Sequence, residues 1–239
     1  MIVFDGISLN SVANVKIEDI RISPVKLNPV ARPRAIRGGS DFVRMRDGER
    51  TVTITFAVQD MNKVTRQAAL TNISQWAKSD KEYKLELPTE PNKYLMCVCT
   101  AKPEPSTRQW WESKLRLVFT CFDDPYWISK GQKIVSCGTP FTVLGDAPPL
   151  MTIQRNWFAS AYDISYTLDN NTISLSQVVS GNMVIDLNRQ TIAIAGNSVM
   201  QYYNPNSRFL IPRVGLQTIS GASPNVSNFG SVYYRERWK

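Results

Sequence analysis

The segment that most constrains the fold lies at residues 50–58, where apolar and polar side chains alternate. The even positions carry Val52, Ile54, Phe56 and Val58, and positions 51, 53 and 55 carry threonine. A period of two is that of a β-strand with one buried face, and β-branched residues favour strands. The first part of the chain is therefore expected to build its core on a β-sheet.

One helix is predicted in the whole chain, over residues 62–78. Its apolar stripe at helical spacing consists of Leu70, Ile73 and Trp76. Either Asp60 or Asn62 is suited to cap its first turn. The three apolar side chains are predicted to anchor the helix on the sheet.

Further strands are expected on both sides of this helix. Residues 83–100 have the pattern of a hairpin, and residues 114–122 that of a closing strand. Asn28-Pro29 and Arg32-Pro33 are expected to break regular structure, because proline lacks a ladder donor. Arg37-Gly38-Gly39 indicates a hairpin tip or a loop. A mainly β domain with one helix, spanning residues 1–130, follows from these patterns.

The composition changes near residues 128–138, after which charge becomes sparse and Asn, Ser and Thr increase. No helix is predicted beyond this point. Short strands are predicted at residues 141–143, 150–153, 164–168, 172–176, 183–186, 191–194, 208–211 and 232–235. Strands at this spacing, separated by turn residues, indicate a β-sandwich over residues 131–239.

The chain contains no histidine. Histidine is the commonest acid–base residue near neutral pH and the commonest metal ligand. Its absence excludes Ser-His-Asp and Cys-His catalysis and any histidine-bound zinc. Nucleotide phosphate-binding motifs are also missing. Catalysis by two carboxylates or by lysine does not need histidine and stays open as an alternative. No catalytic, metal-binding or cofactor-binding residue is predicted, and the protein is not expected to be an enzyme.

Four cysteines are present, Cys97, Cys99, Cys121 and Cys137, and their spacing forms neither a disulfide framework nor a zinc motif. They are expected to act as small core hydrophobes. No run approaches the ~20 apolar residues of a membrane helix, and the N-terminus lacks signal-peptide features. Synthesis and folding in a cytoplasm, without membrane contact, are expected.

The net charge is +8, spread over both halves of the chain, but arginine is locally concentrated near residues 32–50. The members of this arginine series are Arg32, Arg34, Arg37, Arg44, Arg46 and Arg50. They are predicted to make polar interface contacts with acidic protein surfaces. Phosphate binding is the alternative, although no nucleic-acid motif accompanies them.

Aromatic residues offer a second candidate site in the last half of the chain. Trp157, Phe158, Tyr162 and Tyr166 are suited either to a sugar-binding face or to the core of a sandwich. Trp110-Trp111 presents the same choice between stacking and packing. Asp123-Asp124 is interpreted as a strand end, because neighbouring strand residues point in opposite directions.

The order of these parts resembles the distal tail proteins of long-tailed, non-contractile bacteriophages. The resemblance rests on the Phe4-Asp5-Gly6 start, the basic segment with its Gly-Gly turn, the strand at 50–58 and the single helix. It is most specific where a strand closes on Asp124-Pro125-Tyr126, at the domain junction. In the last half, the paired segments 181–186 and 191–196, the segment 209–212 and the C-terminal 233–238 resemble strands of the family's galectin-like sandwich.

The resemblance implies a split-barrel-like N-terminal β domain followed by a galectin-like β-sandwich. It implies a structural baseplate hub in the virion: a hexameric ring that joins the tail tube protein to the tail-tip protein. The sandwich would anchor receptor-binding or side-fibre proteins, and DNA would only pass through the ring lumen. Two departures stand out, since Pro212-Arg-Val-Gly215 replaces the usual turn and no inserted carbohydrate-binding module is present.

Several alternatives remain open from the sequence. Another tail component, such as a tube protein, would not need the second domain. A carbohydrate-binding adhesin would expose an aromatic cluster. A small basic nucleic-acid-binding protein would bind DNA with an affinity that falls steeply with salt.

Overall fold

The structure is a computed structural model that describes residues 1–33, 40–60, 62–100, 106–109, 112–224 and 227–239. They form two compact units, Met1–Trp127 with Lys239, and Ile128–Trp238. The predicted mainly β fold with one long helix is confirmed. Among the described residues, no helix is long and apolar enough to cross a membrane.

The elements of the first unit are mostly strands. In chain order they are β1 (Val3–Phe4), β2 (Ile7–Ser8), α1 (Leu9–Val12), β3 (Lys16–Ile22), β4 (Leu27–Pro33), β5 (Ser40–Asp47), β6 (Arg50–Gln59), α2 (Lys63–Trp76), β7 (Tyr83–Glu86), β8 (Lys93–Cys99), β9 (Ser106–Gln109) and β10 (Glu112–Cys121). A short strand, β11 (Trp127–Ser129), lies at the boundary of the units.

The two longest strands of the first unit, β6 and β10, are antiparallel partners along their whole length, from Arg50 opposite Cys121 to Gln59 opposite Glu112. On β6 the even-numbered positions from 52 to 58 are buried, as the alternation predicts. Strand β3 pairs with the free edge of β6, and β8 and β9 pair with β10. This central pair carries the core of the unit.

Helix α2 is shorter than the predicted 62–78 and begins after its cap. Asn62 accepts a hydrogen bond from the backbone N–H of Val64 at 2.9 Å, so it satisfies one of the free donors of the first turn. The buried side chains of the helix include Leu70, Ile73 and Trp76. The predicted apolar stripe is therefore the face that packs on the sheet.

The chain opening contains a tight turn followed by a short helix. Asp5 and Gly6 both have positive φ, 51° and 77°, which is the geometry of a tight hairpin turn between β1 and β2. Directly after β2 the chain forms the short helix α1, in which only Leu9 is buried. One buried apolar position does not distinguish a helical turn from a strand, so the pattern was ambiguous here.

The expectation that the prolines at 29 and 33 break regular structure is wrong. Both lie in β4, where Pro29 is opposite Met45 and Pro33 is opposite Ser40 of β5. Proline is tolerated because β4 and β5 form a two-stranded sheet, in which each strand has an unpaired edge. The predicted tip at residues 37–39 lies outside the described residues.

The second unit contains the remaining strands and one short 3₁₀ helix. In chain order they are β12 (Lys133–Ser136), β13 (Phe141–Val143), β14 (Ala147–Trp157), β15 (Ala161–Leu168), β16 (Asn171–Val178), β17 (Gly181–Asp186), β18 (Thr191–Ile194), β19 (Asn197–Ser198), the 3₁₀ helix Met200–Tyr202, β20 (Gly215–Gln217), β21 (Ser220–Ala222) and β22 (Ser231–Trp238).

Two sheets of this unit enclose one apolar core, as in a β-sandwich. One sheet has the order β19-β18-β17-β14-β22, with β12 also paired to β22, and the other has the order β16-β15-β21. Ile153 and Ile185 of the first sheet and Ile164 and Leu175 of the second are almost completely buried in the same cluster. Alternation along these strands is what supplies one apolar face to each sheet.

The strand predicted at residues 208–211 is absent, and β12, β19, β20 and β21 were not predicted. Leu210 is buried and Phe209 packs against the same core, while Ile211 is 67% exposed. The apolar pattern therefore reflects side chains that reach the core without a strand. Arg208 N–H still donates to the carbonyl of Thr172, but Pro212 has no N–H with which to continue a ladder.

Candidate assembly surface

The arginine series is divided by the fold. Arg44 and Arg46 lie on β5 with exposed side chains, and the backbone of Arg32 lies on the partner strand β4. Arg34 and Arg37 lie outside the described residues. Arg50 begins β6 and is only 3% exposed, which separates it from the surface arginines. The structure therefore brings Arg44 and Arg46 together on one hairpin strand.

The β4–β5 hairpin is the least supported sheet of the first unit. Among the described residues its strands pair only with each other. Leu27 and Val43 are 56% and 44% exposed, so apolar side chains of this hairpin face solvent. An isolated two-stranded hairpin is marginally stable in water, and its unpaired edges are templates for another chain. These properties make the hairpin a candidate surface for contact with another chain.

The foot of the hairpin is fixed by side chains of the first unit. Asp47, the last residue of β5, accepts a short hydrogen bond from the Tyr126 hydroxyl and lies 3.3 Å from the Lys239 ammonium. The Tyr126 hydroxyl, followed by Lys239, lowers the pKa of Asp47, and this outweighs the opposing effect of burial. Lys26 and Glu49, whose charged atoms are 3.4 Å apart, lie beside the same foot.

The predicted junction motif thus has a structural role that sequence reasoning missed. Tyr126 N–H also approaches the Asp124 carboxylate at 3.4 Å, and Pro125 between them is buried. The motif bends the chain at the end of the first unit and presents the Tyr126 hydroxyl to the hairpin foot. A residue 79 positions away in sequence is the partner, and no local pattern reveals such a pair.

The predicted helix anchors are packed in the core of the first unit. Trp76 packs edge-to-face against Phe4 and Phe119, with ring centroids 5.8 and 6.3 Å apart. Its indole N–H donates to the carbonyl of Ile7 at 3.0 Å. Trp76 therefore connects α2, the first hairpin and β10, and it is a packing residue instead of a surface contact.

The remaining polar candidates do not converge on a reaction centre. Asp123 and Asp124 follow β10, and the backbone N–H of Asp123 donates to Glu82 at 3.2 Å. Within the described ranges, no group of three or more His, Cys, Asp or Glu residues is placed to hold a metal ion. Trp110 and Trp111 lie outside the described residues.

The cysteines are free thiols, of which Cys97 and Cys121 are buried. The neighbouring Cys121 thiol, together with burial, raises the pKa of Cys97. Burial raises the pKa of Cys137 in the second unit to about 11. A thiol with a raised pKa carries little reactive thiolate at neutral pH.

Of the four aromatic residues proposed as a sugar face, three lie together. Trp157, Phe158 and Tyr162 line one cleft of the second unit. Tyr166 is instead completely buried, where its hydroxyl donates to the carbonyl of Phe229 at 3.1 Å. Burial also raises the pKa of Tyr166, so this residue belongs to the core.

Comparison with known proteins finds similarity in structure alone. No protein-family model matches the chain, and no curated protein matches it in sequence. The crystal structure of the phage SPP1 Dit (gp 19.1) protein, described as a paradigm of the hub adsorption apparatus in phages infecting Gram-positive bacteria, matches with a TM-score of 0.78 and 16% identity. That match covers 100% of this chain and 98% of the SPP1 chain.

Two structures of the phage P2 baseplate in its activated conformation, with Ca and with Sr, match more weakly. Each has a TM-score of 0.48 and 10% identity, covering 96% of this chain and 92% of the baseplate chain. The match to SPP1 Dit extends over both units, so the chain has the fold of that phage protein from end to end.

Proposed function

We propose that this chain is a structural hub protein of a phage tail tip, in which copies of the first unit assemble into a ring. The ring would be hexameric, as the resemblance to distal tail proteins implies, and would join the tail tube protein to the tail-tip protein. The second unit would hold peripheral or receptor-binding proteins. The protein would act in the virion after assembly in the host cytoplasm.

The observation that carries this proposal is the whole-chain fold similarity to the SPP1 Dit hub protein, at a TM-score of 0.78. A tube protein would have no need of the second unit, yet the similarity includes that unit as well as the first. The role needs no catalytic step, which fits a chain without histidine.

The exposed β4–β5 hairpin supports the ring on physical grounds. Heterologous contacts between copies close into a ring when the rotation between subunits permits it. A neighbouring copy that covered the hairpin would bury Leu27 and Val43 and would place acidic side chains against Arg44 and Arg46. Assembly would then supply the stability that a two-stranded sheet lacks alone.

The test is the mass of the purified full-length protein by light scattering across a concentration series. A hexamer, or a monomer–hexamer equilibrium, is expected. The double variant Arg44→Glu, Arg46→Glu places like charges at the proposed contact and should weaken association at least about tenfold. Its thermal stability should remain that of the unaltered protein at monomeric concentration, because both side chains are exposed.

Arg189→Glu in the second unit is the matched control, since its side chain is 84% exposed and its nearest carboxylate oxygen is 4.0 Å away. This variant should assemble as the unaltered protein does. If the hairpin variant assembles as well as the unaltered protein does, the hairpin is not part of the interface. A protein that stays monomeric at every concentration, also when mixed with tail-tip and tube proteins, would contradict the hub role itself.

A further inference from the structure

A small cleft lies at one end of the sandwich in the second unit. Strand β14 ends at Trp157, residues 158–160 cross from one sheet to the other, and β15 begins at Ala161. The cleft has a volume of about 350 Å³, and the crossing segment forms one of its walls. Its other side chains include Arg155, Tyr162 and Asn228.

The aromatic residues of this cleft are exposed to an unusual degree. Phe158 is 88% exposed and Tyr162 is 52% exposed, while Trp157 beneath them is only 4% exposed. Fully exposing a phenylalanine ring forfeits the burial that such a side chain normally gains in folding. Two exposed rings beside one concave surface therefore indicate a surface that is covered by a ligand.

Two hydrogen-bond donors at the wall of the cleft are unsatisfied. The Trp157 indole N–H and the Arg155 Nε–H are buried and find no acceptor in the described part of the chain. The Arg155 guanidinium carbon lies 5.1 Å from the centroid of the Trp157 ring, so the two donors belong to one stacked pair. Buried donors without acceptors are rare in folded proteins, so the Arg155–Trp157 pair marks an unusual polar environment directly behind the cleft.

The part of the cleft wall that contains Asn228 is held in place by the core. The Asn228 side chain accepts a hydrogen bond from Gly230 N–H at 2.9 Å. Between them, Phe229 packs edge-on against the buried Tyr166, with centroids 6.2 Å apart. Gly230 approaches so closely that an added Cβ would lie 2.2 Å from the carbonyl oxygen of Gln154. The cleft is therefore pre-formed, which lowers the entropy cost of binding.

We propose that this cleft binds a sugar residue of a glycan. A sugar ring has an apolar C–H face that fits against Phe158 and Tyr162, and its hydroxyl groups can hydrogen-bond to the polar side chains that line the cleft, such as Asn228. The volume of about 350 Å³ suits one or two small rings. Binding of a glycan goes beyond the proposed hub function and does not depend on it.

The chain has no inserted carbohydrate-binding module, so the sandwich itself would provide the sugar site. If copies assemble into a ring, each copy contributes one cleft, and several weak contacts add through their high effective concentration. Binding of a sugar by one cleft does not require a ring, so either proposal can be refuted without the other.

The test uses the full-length protein on an array of immobilised neutral and acidic oligosaccharides. The bound class is then titrated as a soluble oligosaccharide by isothermal calorimetry. Phe158→Ala should weaken binding at least tenfold, and Tyr162→Ala should weaken it by a similar factor. Phe122→Ala in the first unit is the matched control, because this ring is also largely exposed, at 53%. The control should bind as the unaltered protein does.

Absence of binding to every member of the array, together with no saturation transfer to millimolar soluble monosaccharides in NMR, would overturn the proposal. Binding that is equal in Phe158→Ala and the unaltered protein would overturn it as well. Loss of the oligomer in Phe158→Ala, seen by light scattering, would identify the exposed ring as an assembly contact and would also contradict a sugar site.

Discussion

The two units differ in how the edges of their strands are covered. In the first unit, β4 and β5 pair only with each other among the described residues and expose apolar side chains. In the second unit, the edge of β16 is covered by its own chain. Asn204 N–H donates to the carbonyl of Ser174, and Arg208 N–H to that of Thr172, at 2.9 Å each.

This difference separates two kinds of surface. An unpaired edge is an aggregation hazard unless it is covered or protected by charge or proline. The second unit also has a two-stranded sheet, β13–β20, but Phe141 and Val143 of β13 are buried in the core of that unit. The first unit thus has the features of an assembly module and the second those of a self-contained binding module.

The largest expected effect concerns whether the units are stable on their own. Trp76→Ala removes the ring that joins α2 to Phe4 and Phe119, and it should cost about 3–5 kcal/mol of unfolding free energy. Ile153→Ala in the sandwich core should cost about 2–5 kcal/mol. In calorimetry, each variant should lower the melting transition of its own unit and leave the other transition in place.

The two substitutions are controls for each other. A single transition that moves equally in both variants would mean that the units unfold together, and the contrast between an assembly module and a self-contained module would lose its basis. Limited proteolysis of the Trp76→Ala variant should correspondingly release a protected fragment that begins near the boundary at Ile128.

The next effect tests how rigidly the second unit holds its cleft. Gly230 has φ of +87° and lies directly against the backbone of Gln154. Gly230→Ala combines left-handed strain with a backbone clash and should cost about 3 kcal/mol. Urea unfolding of the second unit measures this cost, and sugar binding should weaken in parallel because the Asn228 wall shifts.

Gly196 offers a matched control in the same unit. Its φ is +83°, but an added Cβ would meet nothing within 4 Å. Gly196→Ala should therefore cost only about 1 kcal/mol, which is the strain of the left-handed conformation alone. Equal costs for the two alanine variants would show that the close approach at Gly230 does not hold the cleft wall.

Sequence patterns predicted the parts of both units in which local and global preferences agree. The buried face of β6 is predicted correctly by the alternation at residues 52–58, and that of α2 by the stripe formed by Leu70, Ile73 and Trp76. The patterns failed where tertiary context overrides them. Pro29 and Pro33 lie in a strand because that strand has a free edge, and residues 208–211 form no strand although Leu210 is buried.

The candidate surfaces were only partly predictable for the same reason. Grouping Trp157, Phe158 and Tyr162 was possible because they are close in sequence. Alternation places Tyr162 and Tyr166, four positions apart, on the same face of β15, so the pattern could not predict that one is exposed and the other buried. The contact between Asp47 and Tyr126 joins positions that are far apart in the sequence, so no periodic pattern of residues indicates it. Whether the arginine series forms an interface remains a prediction.

The smallest expected effect concerns the foot of the hairpin. Tyr126→Phe removes the hydroxyl that donates to Asp47 and should lower the unfolding free energy of the first unit by about 1 kcal/mol near neutral pH. Because the Tyr126 hydroxyl depresses the pKa of Asp47 in the folded state, this stabilisation requires the ionised carboxylate. It is complete above the ordinary carboxyl pKa of 3.8 and is lost as the pH falls through the depressed value.

Urea titrations at several pH values would follow this loss, since the difference between the unaltered protein and Tyr126→Phe should shrink in acid. Tyr203→Phe is the matched comparison in the second unit, because the Tyr203 hydroxyl donates to the carbonyl of Ser207 at 2.8 Å. A carbonyl does not titrate, so that difference should stay constant across the same range. A Tyr126→Phe difference that is equally constant in acid would mean that Asp47 does not fix the foot of the hairpin through its charge.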